Sequence, residues 1–437
     1  MFLSDGSYLQ GTRSGLMRFI VGSAAILAAA GSTGGASAAP ALTVLHSFTG
    51  YPDGTAPIGK LAMDSSGALY GTTSGGGFSN GGYGTVFKLT PPAAGKTQWT
   101  KTMLFAFNGY SDGRSPLGGV ILDKSGALYG TTRDGGAYSL GTVFKLTPPA
   151  AGKTQWSYAV LHSFGSGNDG GNPWAGLIMD SNGALYGTTS NRGGYLKYGT
   201  VFKLTPPAAG KTLWTESVLY SFSVSSSDGK GPQAGLLMDS SGALYGTTYL
   251  GGLSNLGTIF KLTPPGAGKT QWTETVLYSF NNLTTGAYPV ADLSMDSKEA
   301  LYGTTGGGPT LGGYGTVFKL APPAAGKTQW TETVLYNFNN GVNGAFPFAG
   351  VIFDSMGALY GTTSSGTGTV GNATGTVFKL TPPAAGKTLW TETVLYGFKN
   401  GTDGYAPESD LIFDKNGALY GTTTFGSSYA GAVFELH

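Results

Sequence analysis

The chain has 437 residues, of which 76 are glycine, none is cysteine and only 11% are charged, with a formal charge of +2. So small a charge supplies no field to hold nucleic acid or an anionic membrane, and without thiols neither a disulfide nor a thiolate metal site can form. Glycine is more than twice its ordinary share of roughly 7%, but it recurs at fixed positions beside turns, which is hairpin chemistry rather than a disordered linker.

In chain order, the first element is a leader. Arg13 and Arg18 precede the apolar run Phe19 to Ala30, and Ala36-Ser-Ala38 supplies small residues for cleavage before Ala39-Pro40. Residues 1–38 therefore read as a signal peptide, with Met17 as an alternative start. The run is 12 residues long, short of the ~20 needed to span a bilayer. Removing Asp5, Arg13 and Arg18 with the leader leaves a charge of +1. No cysteine follows for a lipid anchor and no tail follows the last repeat, so the expectation is a soluble protein, secreted or periplasmic.

Residues 39–437 form a tandem array. Tyr-Gly-Thr-Thr occurs seven times, beginning at Tyr70, Tyr129, Tyr186, Tyr245, Tyr302, Tyr360 and Tyr420, at intervals of 57 to 60 residues. That period is too long for a solenoid rung and matches the blade of a β-propeller. Each copy carries four short runs rich in aromatic and β-branched residues; in the third these are Ala175 to Asp180, Ala184 to Thr189, Gly199 to Leu204 and Trp214 to Phe222. Asp-Ser-Asn-Gly or a variant between the first two suits a tight hairpin, since Asn and Gly tolerate positive φ. Thr-Pro-Pro-Ala-Ala-Gly-Lys-Thr makes a second hairpin between the third and fourth. The first repeated element, Thr43 to Phe48, matches a fourth strand, whereas the last, Gly431 to Leu436, matches a third. The expected fold is all-β: one seven-bladed propeller of four-stranded blades, closed three plus one by the N-terminal strand so that no edge is left open.

The units Asp-Ser-x-Gly-Ala-Leu-Tyr-Gly-Thr-Thr, Gly-Thr-Val-Phe-Lys-Leu and Thr-Pro-Pro-Ala-Ala-Gly-Lys-Thr resemble the GloVer tandem repeat of exported bacterial proteins that carry varied anchoring tails. The resemblance covers residues 42–437 and implies export, but no activity or ligand.

Function is then sought where the copies differ. The second-to-third loops, such as Ser74 to Tyr83, Arg133 to Tyr138, Asn191 to Tyr198 and Ser364 to Asn372, vary and should share one face with the connections between blades. Each inner strand is entered through a proline, and the residues after it, Ile58, Leu117, Trp174, Gln233, Val290, Phe348 and Glu408, should ring the axis. Two positions on stand Lys60, Asp292 and Asp410, with glycine in the other copies. Trp174 and Phe348 are candidate stacking platforms for a sugar or other flat ligand, with Gln233, Glu408, Lys60, Asp292 and Asp410 as its polar partners. Lys60 and Asp410 also lie in neighbouring blades across the closure, where an ion pair would explain them without a ligand. The other six tryptophans recur at the start of the fourth strand and read as packing.

Other motifs carry less. Gly-Lys-Thr recurs six times, but the glycine that a phosphate loop needs five residues earlier is absent and no helix follows. The inner-strand aspartates, Asp64 and its six equivalents, suit the capping of the turn that follows. Asp53, Asp112, Asp169, Asp228 and Asp403 in the connecting loops leave calcium as the only cofactor to weigh, at one carboxylate per loop against the six to eight oxygens calcium takes. His46, His162 and His437 assemble neither a catalytic triad nor a metal site. The expectation is an exported, non-catalytic, monomeric binding module for a glycan or protein partner. The alternatives are a polysaccharide hydrolase or lyase using Asp292, Asp410 or Glu408, and a structural envelope protein.

Overall fold

The computed structural model describes residues 40–437 except 78–81, 166, 195–196, 282–284, 309–312, 367–373 and 427–429. Residues 1–38, read from the sequence as a signal peptide, and parts of three of the four variable loops named above lie outside the described residues. Seven antiparallel four-stranded sheets form the blades of a β-propeller. In the third blade the strands are Ile178–Met179, Leu185–Thr189, Lys197–Thr205 and Thr215–Ser223, paired in sequence order from axis to rim.

Closure follows the expected register. Leu42–Ser47 pairs antiparallel with Ala432–Leu436 and completes the last blade. Thr422 Oγ1 donates to the Pro57 carbonyl and Phe48 N to Gly431 O at 2.9 Å, which ties the two ends of the array.

The core lies between blades rather than within them. Phe164 of the second blade meets Phe202 of the third edge to face at 5.0 Å, and Trp214 of the third packs on Tyr129 of the second at 6.1 Å. The recurrent tryptophans are thus packing groups. Each blade is apolar on both faces, so burial of either face requires its neighbour.

The inner strands are shorter than the runs Ala175 to Asp180 and its equivalents implied, covering two or three residues each. Upstream of those residues the chain leaves its own sheet to pack against the next blade. A Cβ added at Gly118 would lie 2.1 Å from the Ala175 carbonyl carbon, and one at Gly119 2.3 Å from Lys60 O.

The first hairpin behaves as capping predicts. Asp180 Oδ1 accepts Asn182 N and Ala184 N, both at 2.9 Å, and its Oδ2 accepts the Tyr186 hydroxyl at 3.1 Å. Only the turn's last position is left-handed, at Gly183 (φ 80°), so the asparagine needs no positive φ. In the fifth blade Glu299 occupies that position at φ 63°.

Candidate functional site at the propeller axis

Each connection between blades pairs with the second-to-third loop of the blade it enters, as in Arg114 with Asp134 and Gly171 with Asn191, so the two sets share the expected face. The residue before each entry proline is left-handed, with φ between 50° (Ala56) and 62° (Gly231). Six of the seven are not glycine, a conformation that costs about 1–3 kcal/mol each and persists only when held. The holding bonds are seen at Asn172, whose N–H donates to Leu140 O at 2.7 Å across the blade boundary and whose carbonyl accepts Ser190 N at 3.2 Å. This latch, repeated at every boundary, aims the residue after the proline at the axis.

All seven of those residues, joined by Tyr249, line one cavity of about 410 Å³ at the mouth of the channel. Trp174 and Phe348 are 36% and 39% exposed. The Arg133 guanidinium lies 5.1 Å from the Trp174 ring centroid and is fixed by Asp134 at 3.1 Å, while Phe346 stacks on Phe348 at 6.0 Å. Glu408 Oε2 accepts the Thr424 hydroxyl at 3.1 Å, and burial raises its carboxyl above the ordinary range. The sequence reading named Arg133 only as part of a variable loop and missed Tyr249 and Thr424. Each directly follows a Tyr-Gly-Thr-Thr unit, a position that varies between copies and could have been read as a second ring.

Below the mouth the channel narrows to a waist where Lys60, Asp292 and Asp410 meet, and beyond it opens a chamber of about 470 Å³ lined mainly by apolar inner-strand side chains. The Lys60 ammonium is 3.5 Å from Asp410 Oδ2, the ion pair foreseen across the closure. The Lys60 side chain is 46% exposed and lines the channel. Gly235 N donates to Asp292 Oδ1 and Gly350 N to Asp410 Oδ1, both at 2.6 Å. Glycine is required at Gly350, where a Cβ would stand 2.6 Å from the backbone Asp292 O, whereas a Cβ at Gly235 would stand 2.9 Å from Asp292 Oδ1 and push that carboxylate out of its hydrogen bond. Burial, and then the Asp410 charge, raises Asp292 to about 6 against the opposing pull of Lys60. Lys60 is raised in turn, chiefly by Asp410.

The loop aspartates serve the loops first. Asp53 Oδ2 accepts His46 Nε2 at 3.0 Å and Thr49 N at 3.1 Å, and Asp403 Oδ2 accepts the Tyr396 hydroxyl at 3.0 Å and Lys399 N at 2.9 Å. Among the described residues no group of three or more His, Cys, Asp or Glu side chains is placed to hold a metal. The Gly-Lys-Thr segments are turns between strands, with Lys96 N donating to Ala93 O at 2.9 Å. Among the described residues no helix is long and apolar enough to cross a membrane.

The family model described as the Gloeobacter/Verrucomicrobia repeat matches residues 35–237, 154–366 and 210–434. No curated protein matches the chain. Among solved structures, the chain is similar to a glucose dehydrogenase (15% identity over 90% of this chain and 99% of that one, TM-score 0.41). It is also similar to an alpha-L-arabinanase of Penicillium chrysogenum (11%, 91% and 97%, TM-score 0.45) and to the soluble aldose sugar dehydrogenase of Escherichia coli (14%, 91% and 99%, TM-score 0.38). Likeness at this level carries no argument about activity.

Proposed function

The chain belongs to the Gloeobacter/Verrucomicrobia repeat family, and we propose that it is an exported, non-catalytic binding propeller that holds a glycan at the mouth of its axis. The observation that carries this reading is the convergence of the array's non-repeating residues on one cavity. A scaffold kept uniform for packing alone has no use for an exposed Trp174, an exposed Phe348, an amide and a carboxylate at structurally equivalent positions. A pyranose presents an apolar face to an aromatic ring and hydroxyls to groups such as Gln233 and Glu408. The cavity's volume also falls within the roughly 300–1,000 Å³ of small-ligand sites.

A hydrolytic reading draws on Asp292, whose carboxyl is raised to about 6 by burial and by the nearby Asp410 charge, as the acid of a carboxylate pair would be. The binding reading is preferred because both carboxylates are already engaged, by backbone N–H groups and, at Asp410, by Lys60.

The test is affinity electrophoresis and thermal shift of the purified protein against a panel of soluble polysaccharides, with Trp174→Ala and Phe348→Ala alongside. A shift that both substitutions abolish supports the mouth site. A shift that survives both, or no shift with any polysaccharide, refutes it. Product formation from a bound polysaccharide that Asp292→Asn abolishes would replace binding with hydrolysis.

A further inference from the structure

The grooves at the rim, between neighbouring blades, repeat three positions: an outer-strand aromatic or histidine, a connecting-loop residue that is aspartate in five copies and Thr285 or Asn343 in the other two, and the second residue after the recurrent tryptophan of the next outer strand. The last of these is Lys101 in the first blade and Glu274 in the fourth. They are equivalent by register, Lys101 lying opposite Leu89 and Glu274 opposite Leu262.

In the groove leading into the first blade, the Lys101 ammonium lies 2.5 Å from Asp53 Oδ1 and also donates to the Asp53 backbone carbonyl. A cation therefore bridges loop and strand, supplied by the chain itself. In the groove into the third blade, His162 Nε2 lies 3.0 Å from Asp169 Oδ2, so an ionisable nitrogen faces the carboxylates. The groove into the fourth blade has neither. Asp228 is 6% exposed; its Oδ2 accepts the Tyr220 hydroxyl at 3.1 Å and Ser223 N at 2.7 Å, but its Oδ1 is buried without a partner. Glu274 Oε1 is likewise buried without a partner, and the charge that acts on it is that of Asp228. Among the described residues neither side chain forms an ion pair. Two orphaned carboxylate oxygens close enough to feel each other's charge are costly unless a positive species lies between them.

We propose that a hard divalent cation of calcium's size binds between Asp228 and Glu274, in the place that the Lys101 ammonium fills in the first groove. The donors are all oxygen, which suits calcium rather than the nitrogen- and sulfur-seeking metals, and calcium completes its shell with carbonyls and water. The ion would pin the connecting loop to the outer strand of the fourth blade as Lys101 does in the first. The site is remote in role from the axial mouth and does not depend on it.

The test uses the purified protein stripped with chelator. Terbium is the luminescent probe, excited through nearby tyrosines including Tyr220, and calcium is the competitor and thermal-shift ligand. Expected are terbium emission that calcium displaces and a calcium-dependent rise in Tm of about 3 °C at a hundredfold excess over the dissociation constant. Both responses should vanish in Glu274→Gln. Glu274→Lys, which rebuilds the Lys101–Asp53 arrangement, should fold without added cation and show neither response, while Asp292→Asn should keep both. Absence of both responses in the wild type, or their persistence in Glu274→Lys, overturns the proposal. So does a wild type that calcium leaves unchanged while acidification alone stabilises it, since a shared proton would then hold the two carboxylates.

Discussion

Replacing the glycine of a Tyr-Gly-Thr-Thr unit with alanine tests the packing logic of the whole array, because two principles assign it opposite signs. Gly187 lies in the second strand of the third blade, directly opposite Phe202, with no positive φ to defend. Strand propensity alone makes Gly187→Ala stabilising by about 0.5–1 kcal/mol. The structure says otherwise: the new Cβ would stand 2.6 Å from Phe202 Cζ and 3.0 Å from both Phe202 Cε1 and a Leu177 methyl. Contact between carbons is best at about 3.5–4.0 Å, so the ring would have to retreat by roughly 1 Å. Phe202 is fully buried and already in contact with Phe164 of the preceding blade, so it has nowhere to go. Overpacking of this kind costs about 1–3 kcal/mol, and the net expectation is a loss of about 1–2 kcal/mol after the propensity gain. Urea denaturation followed by tryptophan fluorescence measures it, and the cycle with Phe202→Leu isolates the clash. In that background alanine should be tolerated, giving a favourable coupling of at least about 0.5 kcal/mol. A neutral or stabilising Gly187→Ala, or strict additivity in the cycle, would refute the reasoning.

Glu299→Gly should raise stability by about 0.5–1 kcal/mol in the same denaturation assay, because it relieves the one left-handed non-glycine among the seven first hairpins; a loss would show that the Glu299 side chain contributes more than its backbone costs. Stability should peak near about pH 5 in chelator. At Asp64, burial raises the carboxyl but is outweighed by hydrogen bonds from Ser66, Tyr70 and Ala68, so its pKa is lowered; Asp123, Asp239, Asp296 and Asp354 are lowered in the same way, and their stabilisation, present above 3.8, is lost as pH falls. Glu216, Glu274, Glu332 and Glu392 are raised by burial from 4.5 to about 7, so their stabilisation, complete below 4.5, is lost as pH rises through 7. Replacing these four with glutamine should flatten the alkaline side of a Tm-against-pH curve; a wild-type Tm that climbs steadily to pH 8 contradicts the assignment. Lys60→Met removes the cation that opposes protonation at the waist, so the Asp292 carboxyl should titrate higher still, read by carboxyl carbon NMR, and an unchanged or lower value would mean that Lys60 does not act on it.

The features legible from residues alone were those with a local cause. Tyr-Gly-Thr-Thr, the turn glycines and the prolines act within a few positions of themselves, so strand order, hairpin placement and the ring of seven axial residues could be read without a structure. The order of the first and last repeated elements likewise implied the closure between Leu42–Ser47 and Ala432–Leu436. Partners across blade boundaries were less legible. Gly235 and Asp292 are 57 residues apart, and the bond between them follows from the rotation of one blade against the next. The stacking of Arg133 on Trp174 and the charge of Asp228 acting on Glu274 belong to the same class.

The sequence by itself determined a closed all-β ring of repeating blades, because period, turn chemistry and short aromatic and β-branched runs leave that chain no other way to cover its apolar faces. Only the tertiary structure decided what the variable positions do. It set Trp174 and Phe348 open at the mouth, drew Lys60, Asp292 and Asp410 together at the waist, and buried one carboxylate oxygen each of Asp228 and Glu274 without a hydrogen-bond partner. The physical reason is that charge and exposure depend on distances between blades, which the ring geometry sets and which residue order along one blade does not contain.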